Sequence, residues 1–321
     1  MPHRYVNIMT IQSKPLDTTT DRIMLGVTLM MGFCMTAPLL DVTAKLASDI
    51  IPVGQITATR FLVQVALMLP FCLAMGLSFK MNGRFGILAL RAILLVLSTF
   101  FFISAIRVMP LADALAIVFI EPFIVMLVGK YGLSEDVGPR RIAAAGVGFL
   151  GVVFVIQPSF ATFGAVALYP LGTAVCFAGY VLVTRELRGW LHPVMMQFHT
   201  GAIASLICLP IIWMANGTEF AMFDPIWPQG IYWLWLFGVG FFATISHMMM
   251  TYGLTLAPSS TLAPMQYLEI PVATLLGLLV FAEFPNSIAL GGIVLIMGAG
   301  LYMIHRERVT SRIKTRLHAP V

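Results

Sequence analysis

Two glutamates stand near the middle of long apolar segments, 148 positions apart and in matching surroundings. Glu121 comes eleven positions after Pro110 and directly before Pro122; Glu269 comes eleven positions after Pro258 and two before Pro271. A second acidic pair, Glu135 and Glu283, keeps the same offset of 148. A carboxylate at bilayer depth costs about 2.5–3.5 kcal/mol on insertion scales, so an acid retained there points to function. Such groups can bind a polar solute, or take up and release protons as a cavity opens to alternate sides. The alternative is structural: acids that hydrogen-bond neighbouring helices, each bond worth about 0.6 kcal/mol on average.

Each glutamate brings company. Asp113, Ile117 and Glu121 are spaced by four and so share one helix face. Gln266, Tyr267 and Glu269 fall within one helical turn and offer an amide, a phenol and a carboxylate, while Thr261 stands where Asp113 stands in the first copy. Such a set suits a polar, partly aromatic solute, or else a network between helices. Pro122 has no N–H to give, which frees the carbonyl of Val118; Pro271 does the same for Tyr267. Broken helices with free carbonyls near the midplane are how transporters build polar sites. Glu121, Glu269, Gln266, Tyr267 and Asp113 are therefore the candidate binding or coupling residues.

A second group is ionic. Asp41 and Lys45 are four apart at one end of a segment, and Arg60 lies about two turns into the next. They are expected to form a cluster that neutralises itself, serving as structure, gate or solute anchor. His199 and His247 could relay protons, since histidine titrates near neutral pH, or simply pack. Cys34, Cys72, Cys176 and Cys208 show no metal-ligand spacing. No phosphate-binding glycine loop or catalytic constellation is present, so neither an enzyme nor an ATP-driven pump is expected, and no cofactor or metal.

These residues need elements to hold them. The chain is 59% hydrophobic and 10% charged, against about 25% charged in a soluble domain. With mean hydropathy of +0.93, it reads as an all-α, multi-pass membrane protein. Hydropathy places ten spans: Met24–Leu46, Gln55–Met75, Gly86–Ile106, Leu111–Val128, Ile142–Ile156, Gly164–Val183, Val194–Met214, Ile231–Leu254, Leu262–Phe281 and Ser287–Ile304. No cleavable signal is evident, and the first span is expected to act as an uncleaved anchor.

Basic residues set the orientation. Sixteen Lys and Arg, Arg91 among them at the start of the third span, fall on the side of the two termini, against Lys45 and Arg107 on the other. Both termini are thus expected in the cytoplasm. The +5 net charge belongs to segment ends, not to a nucleic-acid surface. The acidic pairs, with Pro52 matching Pro193 and Gly151 matching Gly298, indicate a duplication. Five spans is an odd number, so the halves must be inverted. The organisation expected is residues 1–23 as a cytoplasmic lead, 24–156 and 164–304 as two five-helix repeats, and 305–321 as a basic cytoplasmic tail beside anionic lipid.

Ten spans, a five-helix duplication and paired Pro–Glu segments resemble the drug/metabolite transporter superfamily, EamA type, from about Leu25 to Ile304. Asp41-Val-Thr-Ala-Lys45, Arg60-Phe61, Tyr267-Leu-Glu269 and Phe281-Ala-Glu-Phe-Pro285 are similar to its branch of riboflavin and S-adenosylmethionine uptake carriers. The resemblance implies a bacterial inner-membrane carrier with a central cavity between the halves. Arginine outnumbers lysine 14 to 5, which points to a GC-rich genome and away from lysine-rich intracellular parasites. Riboflavin uptake is the first expectation, S-adenosylmethionine uptake the second, and efflux of amino acids or metabolites the third. The partners expected are a small solute, the bilayer and, as a candidate coupled species, protons. A non-transporting membrane scaffold is the reading from another class.

Overall fold

A backbone withdrawn from water must satisfy its own hydrogen bonds, and these apolar runs do so as helices. The computed structural model describes residues 20–317, except 82, 133–138, 188, 257–261 and 263–265. No strand occurs among the described residues. Glu135, Pro258 and Thr261 lie outside them, as does most of the N-terminal segment.

The helices are α1 (Thr20–Ser48), α2 (Val53–Ala74), α3 (Phe85–Ile106), α4 (Leu111–Val118), α5 (Glu121–Gly132) and α6 (Pro139–Phe163). A 3-10 turn over Gly164–Leu168 leads into α7 (Tyr169–Glu186), followed by α8 (Pro193–Ala215), α9 (Tyr232–Leu256), α10 (Glu269–Phe281) and α11 (Ser287–Leu317). By length and composition seven stretches reach bilayer-crossing size, fewer than the ten spans read from hydropathy. The difference is localised. Residues 142–184 run on as one helical stretch, and the last two expected spans correspond to the shorter apolar helices Glu269–Phe281 and Ser287–Tyr302.

The main contacts cross from residues before 157 to residues after 164. Helix α1 packs on α9, α3 on α7, α2 on both α8 and α9, and α6 on α11. Exchanging the halves returns the same pattern: α1–α9 becomes α7–α3, α2–α9 becomes α8–α3, and α1–α10 becomes α7–α5. The close crossing of α6 and α11 depends on two glycines. A Cβ on Gly151 would sit 2.8 Å from the Gly292 carbonyl oxygen, and one on Gly292 would sit 2.6 Å from that of Gly151. Small residues let helix backbones touch where lipid gives no hydrophobic drive to association. Gly298, which the sequence matches to Gly151, faces open space instead.

Polarity runs inside out. Trp213, Leu206 and Leu279 are exposed, while Arg60, Arg91, Gln64, Gln197 and Thr200 are buried. Polar groups gather where other helices can satisfy them, and apolar side chains face outward, as a lipid solvent requires.

Candidate functional site

Both glutamates begin a helix. Helix α4 ends at Val118, Phe119 and Ile120 form a turn, and α5 starts at Glu121; Tyr267 and Leu268 form the same turn before Glu269 starts α10. Pro122 and Pro271 thus lie in a first turn, where a missing N–H leaves no bond unmade. A carboxylate at that end also meets the positive pole of the helix dipole. The broken helix expected from the prolines is present in the first copy, where α4 stops before α5; in the second, the described residues show the turn and the helix start at Glu269.

The breaks face one cavity of about 860 Å³, its open side included. Asp41, Glu121 and Glu269 supply three carboxylates to its wall, and Arg60 supplies a guanidinium. His247 and Gln266 add an imidazole and an amide, and Ser98, Thr99 and Thr173 add hydroxyls. Phe33, Phe102, Phe119 and Phe177 provide aromatic surface. Neither Glu121 nor Glu269 is in an ion pair among the described residues. The arrangement can meet a partly polar, partly aromatic solute with charges of either sign.

Three sequence expectations change here. Tyr267 is not in the cavity wall: its ring packs on Phe119, its counterpart at offset 148, with centroids 5.3 Å apart, and fills the space beside Gly300. Leu268 between them has helical backbone angles, and at about 3.6 residues per turn two positions apart lie on nearly opposite sides. Asp113 is also buried outside the wall, in the field of Lys45 and Glu283. And the Asp41–Lys45–Arg60 cluster does not form. Lys45 Nζ donates to both carboxylate oxygens of Glu283 at 2.7 Å and to the Met109 carbonyl at 2.8 Å. Its long stem reaches past α1 to the end of α10, leaving Asp41 and Arg60 in the cavity.

The histidines part company. His247 lines the cavity, held by Arg60 Nη2 at 3.1 Å on Nε2 and by the Tyr180 hydroxyl at 3.5 Å on Nδ1. His199 is buried away from it, its Nε2 without a partner among the described residues. Gln64 donates to the Gln197 carbonyl at 2.9 Å, and Gln197 Nε2 donates to Thr251 Oγ1 at 2.9 Å, joining α2, α8 and α9.

Arg91 is the residue that sequence reasoning misplaced. It is fully buried within α3 and donates from Nε to Thr184 Oγ1 at 2.9 Å and from Nη2 to the Tyr180 hydroxyl at 2.7 Å. Its Nη1 donates to Thr200 Oγ1. A basic residue six positions into an apolar run carries the same signal as the glutamates, yet it reads as a snorkelling end residue when the run begins nearby.

Apolar helices around a polar, aromatic-walled cavity define a membrane transport protein. The chain belongs to the EamA-like transporter family, whose model matches residues 24–157 and again residues 164–305. It is similar to a riboflavin transporter of Brucella anthropi, 26% identical over 265 residues, covering 82% of this chain and 91% of that one. It is similar also to an S-adenosylmethionine uptake transporter of Rickettsia felis, 22% identical over 272 residues, covering 84% and 88%. A solved crystal structure, 20% identical, shares the fold with a TM-score of 0.63 over 94% of this chain and 99% of its own.

Proposed function

We propose that this protein is a secondary carrier of the bacterial inner membrane and not an enzyme. In this reading its ten helices form a five-plus-five inverted repeat, residues 24–156 and 164–304, with both termini in the cytoplasm. The exchange symmetry of the helix contacts and the sixteen-to-two bias of basic residues support this topology. Reporter fusions after Arg188 and after Arg308 are expected to give cytoplasmic signals, and one at Thr218 an external signal. A cytoplasmic signal at Thr218 would break the ten-span arrangement.

The solute we propose is riboflavin, taken up from outside. The observation that carries this reading is the cavity itself: paired helix-start glutamates in a wall that also carries aromatic rings and a guanidinium. The Brucella anthropi relative lends the name. S-adenosylmethionine is the second reading, and one observation favours it: three carboxylates against one guanidinium suit a solute bearing positive charge. Proton coupling is the third element, through carboxylates that meet water from alternate sides.

Purified protein in kinase-free vesicles separates these readings. Riboflavin is expected to enter saturably and, under an imposed pH gradient, to exceed its outside concentration. Equilibration indifferent to pH gradient and voltage would leave the glutamates as binding groups only. Flux of S-adenosylmethionine without riboflavin would replace the first solute by the second. Flux of neither would overturn both.

A further inference from the structure

Arg60 is 1% exposed and lines the cavity. Its Nη1 donates to Thr99 Oγ1, its Nη2 faces His247 Nε2 at 3.1 Å, and the Phe61 ring lies 4.7 Å from the guanidinium carbon. The third nitrogen, Nε, carries an N–H with no hydrogen-bond partner among the described residues. Leaving a buried donor unmade costs about 1–3 kcal/mol, and more on a charged group. Arg60 thus brings to the lining of the cavity an unmet donor, closed off from solvent in this structure, that a solute can meet on binding.

The rest of the guanidinium is held from behind. A guanidinium only donates, so His247 Nε2 must accept and the imidazole proton must be on Nδ1, toward the Tyr180 oxygen. That oxygen also accepts from Arg91 Nη2 at 2.7 Å. Arg91 is fixed in turn by Thr184 and Thr200, so α2, α9, α7 and α3 are strung on one line of hydrogen bonds. Any rotation of Arg60 breaks the first link.

We propose that Arg60 Nε–H anchors an electron-rich oxygen of the solute, a ring carbonyl or a carboxylate, and that Arg91 is its positioning residue, acting through Tyr180 and His247. This deepens the carrier reading above and rests on it. Asp41 is the rival partner for Arg60, since it lines the same cavity, although no hydrogen bond joins them.

The test is uptake into vesicles of riboflavin, which offers ring carbonyls and no carboxylate, and of S-adenosylmethionine, which offers a carboxylate. Arg60→Lys keeps the charge and loses the fork. It is expected to raise KM about tenfold for whichever probe is carried, the equivalent of ~1.4 kcal/mol, with Vmax changed less. Adding Asp41→Asn should not restore KM. Arg91→Lys should raise KM alone but add nothing in the Arg60→Lys background, because both act on one contact. Unchanged KM in Arg60→Lys, or restoration by Asp41→Asn, overturns the anchor; full additivity overturns the positioning role.

If neither probe is carried, the proposed function fails while the anchor is still decided, by labelling Ser98→Cys in a background without the four native cysteines. Arg60→Gln is expected to lower the ratio of anionic to cationic methanethiosulfonate rates about tenfold, as removal of one nearby charge would. An unchanged ratio overturns the anchor.

Discussion

Glu269→Gln is expected to cut transport at least tenfold while the protein stays folded in the membrane at normal abundance. Glu269 starts α10, lines the cavity and lacks an ion pair among the described residues. The substitution keeps size and polarity while removing charge and exchanging one acceptor oxygen for an N–H donor, and charge is the costly part of an acid at this depth. Its loss should therefore leave insertion intact. A charge-assisted hydrogen bond accepted from a solute donor is worth about 1.5–3 kcal/mol, which translates to roughly ten- to hundredfold in rate or affinity. Glu121→Gln, at the equivalent start of α5, tests whether the second copy shares the role. The measurement is initial uptake rate per amount of monodisperse protein. Normal rates in both variants would reduce the paired acids to structural hydrogen bonding.

Gly292→Val is expected to fail at assembly, not at transport. Its new Cβ would meet the Gly151 carbonyl oxygen at 2.6 Å, and a backbone oxygen cannot swing aside as a side chain can. Helices α6 and α11 would have to separate along their length. Overpacking typically costs 1–3 kcal/mol. At about 2 °C per kcal/mol, the upper end lowers the unfolding midpoint by roughly 6 °C. Gly298→Val, six residues along the same helix and facing open space, is the control and should leave the midpoint unchanged. Equal effects at both positions would mean that the variant reports helix propensity and not the crossing.

The sequence alone determined the solvent, the class and the twofold repetition of this protein. Long apolar runs can satisfy their backbones in lipid only as helices, and a repeated Pro–Glu register at 148 residues marks equivalent places in two halves. The helix break before Glu121 and the helix start at Glu269 were legible for a local reason: proline forbids the bond that would continue a helix through it. What only the tertiary structure decided is which side chains meet. Lys45 and Asp41 share a helix face, yet the lysine's reach takes it to Glu283, a residue 238 positions away. Tyr267 sits two residues from Glu269 and points elsewhere, against Phe119 and Gly300, partners that only the packing supplies. Arg91 looks like an interfacial residue until α7 and α8 close over it and supply Tyr180, Thr184 and Thr200. Periodicity and spacing fix the face of a helix, whereas partners come from other helices through contacts far apart in the chain. Buried ions are settled by those partners, since the cost of a charge without water is met only by donors and acceptors that packing brings to it.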